Sequence, residues 1–205
     1  MTQNSRQLNL RCRCGHVSGI ALDVAPASSL RLVCYCRYCR AFAHFLDRPD
    51  VLDSAGGTDI LQMPPGRVKI VTGADAVRCM KLSGRVFRWY TECCRTPIGN
   101  TGSPRIPLVG LIHCFISGDS ADLNDAVGAP RYRVYSESAT GPLPPDAPPQ
   151  PSNATIVLRV ASLLLGWWMR GLGRPNPLFD AKTGAPLSEP RLLTPEERAA
   201  LLRPV

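Results

Sequence analysis

Cys34-Tyr35-Cys36-Arg37-Tyr38-Cys39-Arg40 sets three thiols within six positions, and the rest of the chain reads as the scaffold that holds them. Residues 30–33 form a strand-like run. Period-two alternation along it carries Cys34 and Cys36 to one face. The x-x-C half then turns the chain so that a third sulfur converges on the same point. Tetrahedral zinc, at about 2.3 Å per thiolate, needs sulfurs a little under about 4 Å apart; three cysteines make three corners and leave the fourth open, as exchangeable or catalytic metals require. Three small buried apolar cysteines are the plainer alternative. Such spacing in a chain without secretory features points to the metal.

Working outward toward the N-terminus, residues 7–14 alternate so that Leu8, Leu10, Cys12 and Cys14 share a face, a strand delivering two sulfurs inward. Gly15 permits a tight turn, and residues 17–24 return as a second strand. Alternation aims His16 the same way as the two thiols, which makes it a candidate ligand against the commoner exposed or core imidazole.

On the other side, residues 40–46 suit about two turns of helix ending before Pro49. That helix carries His44 close to the metal, as acid/base, fourth ligand or supporting group. Strand-like runs follow at 59–63 and 67–72. Next comes a hairpin of 77–82 and 86–90 around Ser83-Gly84-Arg85, with Cys79 as a core residue. Its second strand enters Thr91-Glu92-Cys93-Cys94-Arg95-Thr96-Pro97. Neighbours in a strand point oppositely, but a turn can bring both sulfurs to one side, so that Cys12, Cys14, Cys93 and Cys94 close a structural site. A vicinal disulfide is the rival and suits a reducing compartment poorly. Residues 109–116, with His113-Cys114, read as a core strand, and 131–136 as the last strand.

The order C-x-C-G (Cys12 to Gly15), C-x-C-x-x-C-R (Cys34 to Arg40) and C-x-T-P (Cys94 to Pro97) resembles the glutathione-dependent formaldehyde-activating enzyme and centromere protein V (GFA-like) zinc family, over roughly residues 8–116. The resemblance implies an all-β, tent-like fold with two zinc ions. It places a structural zinc on Cys12, Cys14 and Cys94 and an activity-linked zinc on Cys34, Cys36 and Cys39. The implied activity is a carbon-sulfur lyase acting on small thiol adducts such as S-hydroxymethylglutathione, with glutathione as partner. The family's third group is C-x-x-C-G-T-P. Here Thr91 stands at its first cysteine and Arg95 at its glycine, leaving Cys93, then His16, as candidate fourth ligand. Arg37, Arg40 and His44 are the candidate substrate-binding residues, since arginines offset thiolate charge or receive a carboxylate.

The C-terminal part differs in kind. A β domain of 1–140 gives way at 141–151 to a proline-rich connector and at 152–205 to a helical extension. Ser152 or Asn153 caps a helix over 154–172 that is apolar nearly all round. A membrane span needs about twenty apolar residues, and Arg159 and Arg170 cut this run short. Packing on the β domain or on a second copy, as a homodimer, is the favoured cover, and a membrane surface the alternative. Thr194-Pro195-Glu196-Glu197 opens a short terminal helix with a capping box.

The N-terminal residues lack the apolar core of a secretory signal, so a cytoplasmic protein is expected, in which cysteines are ligands rather than disulfides. The formal charge of +8 comes from 24 basic residues, of which 21 are arginine, against 16 acidic. Zinc in four and in three thiolates would add −2 and −1 and leave the holo protein near about +5. The second functional class is therefore a non-catalytic zinc-stabilised module whose arginine surface binds an acidic partner such as nucleic acid.

Overall fold

The computed structural model describes residues 6–82, 84, 86–118 and 120–203. Their strands are β1 (Arg6–Arg11), β2 (Ser18–Val24), β3 (Leu30–Cys34), β4 (Thr58–Met63), β5 (Val68–Thr72), β6 (Val77–Lys81), β7 (Phe87–Thr91), β8 (Pro97–Thr101), β9 (Val109–Ile112), β10 (Tyr132–Val134) and β11 (Arg191–Leu192). The helices are α1 (Arg37–Phe45), α2 (Ser120–Val127), α3 (Asn153–Met169) and α4 (Pro195–Leu202). The fold is β-rich, with a three-stranded sheet β1-β2-β5 and an eight-stranded sheet β10-β3-β4-β9-β8-β7-β6-β11. Pairing is antiparallel except at the two edges, where β10 joins β3 and β11 joins β6 in parallel. A last strand therefore comes from the C-terminal region, beyond residues 131–136.

Between the sheets lies the main core. Leu8, Leu10 and Ala21 of the small sheet, with Val17 just before β2, meet Leu61, Met63, Trp89, Val109 and Leu111 of the large one. Trp89 is wholly buried, with Phe179 edge-on to its ring, and its Nε1 donates to Thr101 Oγ1 at 2.8 Å, so the indole leaves no orphan donor.

β3 is buried at every position because both of its faces are covered. On one face Leu30, Leu32 and Cys34 pack with Ile60, Leu163 and Trp167, so α3 lies across the large sheet. Burying side chains of this size contributes about 1.5–3 kcal/mol each. The opposite stripe of α3 is open: Val157, Leu158, Leu165, Trp168 and Met169 are exposed. No helix among the described residues is long and apolar enough to cross a membrane. On the other face of β3, Arg31 is gripped by Asp59 and also donates to Asn124 Oδ1 and Gly128 O, which ties α2 to the sheet. A buried guanidinium needs such complete pairing.

Several local expectations change. The first strand stops at Arg11, and Cys12 and Cys14 sit in the turn beyond it, because Cys12 N–H donates to Val17 O and closes the chain on itself. His113 and Cys114 lie in a 3-10 turn after β9 rather than in a strand. Of the expected hairpin turn, Ser83 and Arg85 fall outside the described residues. The proline-rich 141–151 stretch is laid along the sheet edge. Pro149 O accepts from Arg133 N and Pro148 O from Arg133 Nη1, while Leu143 packs beside Val33 and Tyr35. The caps are as the sequence reads: Ser152 Oγ accepts from Thr155 N–H, and Thr194 with Glu197 forms a full capping box.

Candidate metal centres

The first centre assembles from two turns far apart in sequence. In the Cys12 turn the Val17 N–H donates to Cys12 Sγ at 3.3 Å. In the second, Arg95 N–H donates to Thr91 O and Thr96 N–H to Thr91 Oγ1, winding the chain tightly enough that both neighbouring cysteines face one way. Arg95 supplies the left-handed residue this turn needs, at φ 55°. Its guanidinium, held on Phe45 O at 2.7 Å, offsets a conformational cost of about 1–2 kcal/mol. The two turns are joined by Arg13 N–H donating to Thr96 Oγ1 at 3.1 Å.

The sulfur geometry follows. Cys12–Cys14 is 3.6 Å, Cys12–Cys93 3.9 Å, Cys14–Cys93 3.4 Å and Cys93–Cys94 3.8 Å. All four sulfurs lie within 4.8 Å of one another and all are free thiols. Sulfurs around a tetrahedral ion at about 2.3 Å would be about 3.8 Å apart, close to these four separations, so the set could hold such an ion. His16 is exposed and stands outside this set. Thr91 Oγ1 lies 3.4 Å from Cys94 Sγ, with Thr96 Oγ1 at 3.2 Å. Burial alone would raise the Cys94 thiol, but these hydroxyls and Cys14 bring it down to about 5, whereas burial and the Cys14 thiol push Cys93 up to about 12.

The second centre is Cys34, Cys36 and Cys39, again within 4.8 Å of one another. Cys34 ends β3. Cys36 is the N-cap of α1, its backbone extended at ψ 145° and its carbonyl accepting from Cys39 and Arg40 N–H. Cys39 sits on the buried stripe of α1 with Ala41, Phe42 and Ala43. The strand end, the cap and the first helical turn therefore converge three sulfurs at a helix N-terminus, where negative charge is stabilised. Hydrogen bonds from Cys34 and Cys39 hold the Cys36 thiol far below its ordinary value, and the same contact pushes Cys34 well up.

A residue not foreseen from the sequence completes this centre. Arg88 on β7 is buried, its Nη1 lies 3.9 Å from Cys39 Sγ, and the same nitrogen donates to Asn100 Oδ1 at 3.1 Å. Among the described residues no carboxylate pairs with it. The available signal was one charge inside the apolar run Val86-Phe87-Arg88-Trp89-Tyr90. The three residues expected at the substrate lie further out. Arg37 is exposed with Nη2 on Tyr38 Oη, Arg40 Nη1 donates to Ser138 O, and His44 is exposed.

Both centres, and the whole of α3, fall within a single family match. The chain belongs to DUF6151, a family of unknown function matched over residues 4–190. No curated protein matches it. In this DUF6151 member the matched span runs well past residue 116, so the family's own unit includes the helix that covers β3 as well as the cysteine turns.

What the arrangement can do chemically rests on ligand count. Four thiolates close a tetrahedron and leave a metal nothing to exchange, while three leave one position for an outside ligand. Beside the three-cysteine centre, where α3 crosses the sheet, lies a groove of about 640 Å³ lined in part by Cys34, Gln62, Arg133, Tyr135 and Val160.

Proposed function

We propose that this protein is a GFA-like zinc protein in which Cys12, Cys14, Cys93 and Cys94 hold a structural ion, while Cys34, Cys36 and Cys39 hold a second ion that takes up a small thiol or thiol adduct. The observation that carries this reading is the asymmetry of the two clusters: four sulfurs in one, and three in the other with a groove at its side. Zinc in a three-thiolate site supplies a Lewis acid that favours the thiolate form of an incoming sulfur.

The chain's own groups do the rest. The α1 N-terminus and the Arg88 guanidinium face the sulfurs and offset their charge, since zinc with three thiolates is left at −1. A buried guanidinium with no carboxylate partner is costly, and such an anion beside it would offset that cost. For a hemithioacetal such as S-hydroxymethylglutathione, the reaction is carbon-sulfur cleavage. The bonding pair goes to sulfur, the hydroxyl proton passes through water to that sulfur, and an aldehyde and a thiol are released.

The test is metal analysis of the full chain purified without tags or chelators, followed by graded chelation. Two zinc ions per chain are expected, one removed without loss of the far-ultraviolet spectrum and one whose removal unfolds the protein. A metal-free protein with an unchanged melting curve would refute the reading. Exchange between formaldehyde and glutathione, followed by NMR, is the first activity assay, with Cys36→Ser as its control.

A further inference from the structure

We infer that the groove beside the three-cysteine centre receives the body of the ligand, and that this ligand is a thiol with a long, uncharged, apolar chain ending in a hydrogen-bond donor rather than a charged peptide such as glutathione; this rests on the reading of that centre as thiol-binding. The first observation is the lining. Leu32, Ile60, Val134, Ile156 and Val160 make the walls, and Cys34 and Gln62 line the same space. A volume of about 640 Å³ lies in the usual range for small-molecule sites.

Charge is the second observation. The groove's charged lining is one arginine and one glutamate, Arg133 and Glu137. The Arg133 guanidinium donates from Nε to Ser136 Oγ at 3.0 Å and from Nη1 to Pro148 O at 2.6 Å, and Glu137 shares the lining with it. Neither Arg37 nor Arg40 lines the groove. The two carboxylates of glutathione would meet one arginine offset by one glutamate in a lining of no net charge, and uncompensated charge is costly to bury.

The third is an orphan. Gln62 Oε1 is buried without a hydrogen-bond partner. Leaving such an acceptor unmet costs about 1–3 kcal/mol, so a ligand donor reaching it gains what the folded protein forgoes. Register gives the reach. Cys34 stands opposite Thr58 and Leu30 opposite Gln62, so the orphan acceptor lies four residues along β4 from the cysteine's neighbour, roughly 13 Å by strand rise. The apolar walls lie between these two ends.

The experiment uses the full chain with cobalt in place of zinc, reading the thiolate-to-cobalt charge-transfer band and the melting temperature as four thiols are titrated. 2-Mercaptoethanol reports the open position alone, 8-mercaptooctanamide adds the chain and the donor, methyl 8-mercaptooctanoate lacks the donor, and glutathione adds charge. The amide is expected to bind at least about 10-fold more tightly than 2-mercaptoethanol or glutathione, and about 3- to 10-fold more tightly than the ester. Gln62→Leu should erase the amide's advantage over the ester. Val160→Trp should erase the advantage of both long thiols while 2-mercaptoethanol binds as before, which also shows that the variant is folded. If all four thiols bind alike, or glutathione binds best, this inference is overturned and the thiol-binding reading stands. If no thiol of any length perturbs the cobalt spectrum, the thiol-binding reading fails and takes this inference with it.

Discussion

Arg88 Nη1 lies 3.9 Å from Cys39 Sγ, and the guanidinium is buried beside the Phe42 ring with no carboxylate in reach among the described residues. Its positive charge favours the thiolate form of Cys36 and Cys39 alike. Replacing it with methionine keeps the bulk and removes the charge. Hydrogen bonds to charged groups are worth about 1.5–3 kcal/mol, so Arg88→Met should weaken metal binding at the three-cysteine centre by about 10- to 100-fold. Competition with a chromophoric chelator measures it. The four-cysteine centre should be unaffected, and Arg88→Lys should fall between.

How far the sequence discloses this arrangement depends on the range of the interactions. The two cysteine clusters were legible because their spacing is local and the thiols come in pairs and triples, so Cys34, Cys36 and Cys39 needed only a strand end and a helical turn. The caps at Ser152 and Thr194 were legible for the same reason. Arg88 was not, since its partner Cys39 is 49 residues away on α1 and only the packing of that helix against β7 brings them together. Nor was the groove, which depends on where α3 crosses β3 and β4. The Cys12 turn defeated simple alternation because a backbone bond from Cys12 to Val17 ended the strand before the ligands.

Cys93 and Cys12 stand 81 positions apart in the chain and 3.9 Å apart at sulfur. Cys93→Ser should release the structural ion and lower the melting temperature sharply, because a hydroxyl is a poor zinc ligand and structural sites contribute about 10–16 kcal/mol of apparent binding energy to folding. Thermal melts with and without chelator, alongside zinc content, check this. His16→Ala should leave both values unchanged.

Tyr35 predicts an alkaline effect. Its side chain is buried and its hydroxyl donates to Asp53 Oδ2 at 2.8 Å, while Asp53 Oδ1 accepts from Ala55 and Gly57 N–H. Burial, with the Asp53 contact second, pushes the phenol well above its ordinary value. A raised group adds stability that is complete below the unfolded value of about 10 and is lost as pH rises toward the folded one. Wild-type stability should therefore fall about 1.4 kcal/mol per pH unit faster than that of Tyr35→Phe above about pH 10. Below that, the variant should be less stable by about 1 kcal/mol from the lost hydrogen bond. Denaturant unfolding at a series of pH values tests both limbs.

Trp167 joins the C-terminal helix to the sheet that carries the second centre. It is 3% exposed, packs with Leu30, Leu32 and Ile60, and donates from Nε1 to Ser28 O at 3.2 Å. Deleting a buried indole costs about 3–5 kcal/mol. Trp167→Ala should therefore loosen α3 from β3 and β4, since Leu163 alone remains fully buried on the helix's inner stripe. The four-cysteine centre lies in turns that α3 does not cover, so its ion should be retained at wild-type affinity. The wall of the groove moves with α3, and the Cys34, Cys36 and Cys39 centre should exchange its metal with chelator faster. Amide hydrogen exchange provides the separating readout: protection should fall in α3 and in β3 while β7 and β8 keep theirs. Equal loss across all strands would mean that the helix is needed for the whole fold rather than for this one face.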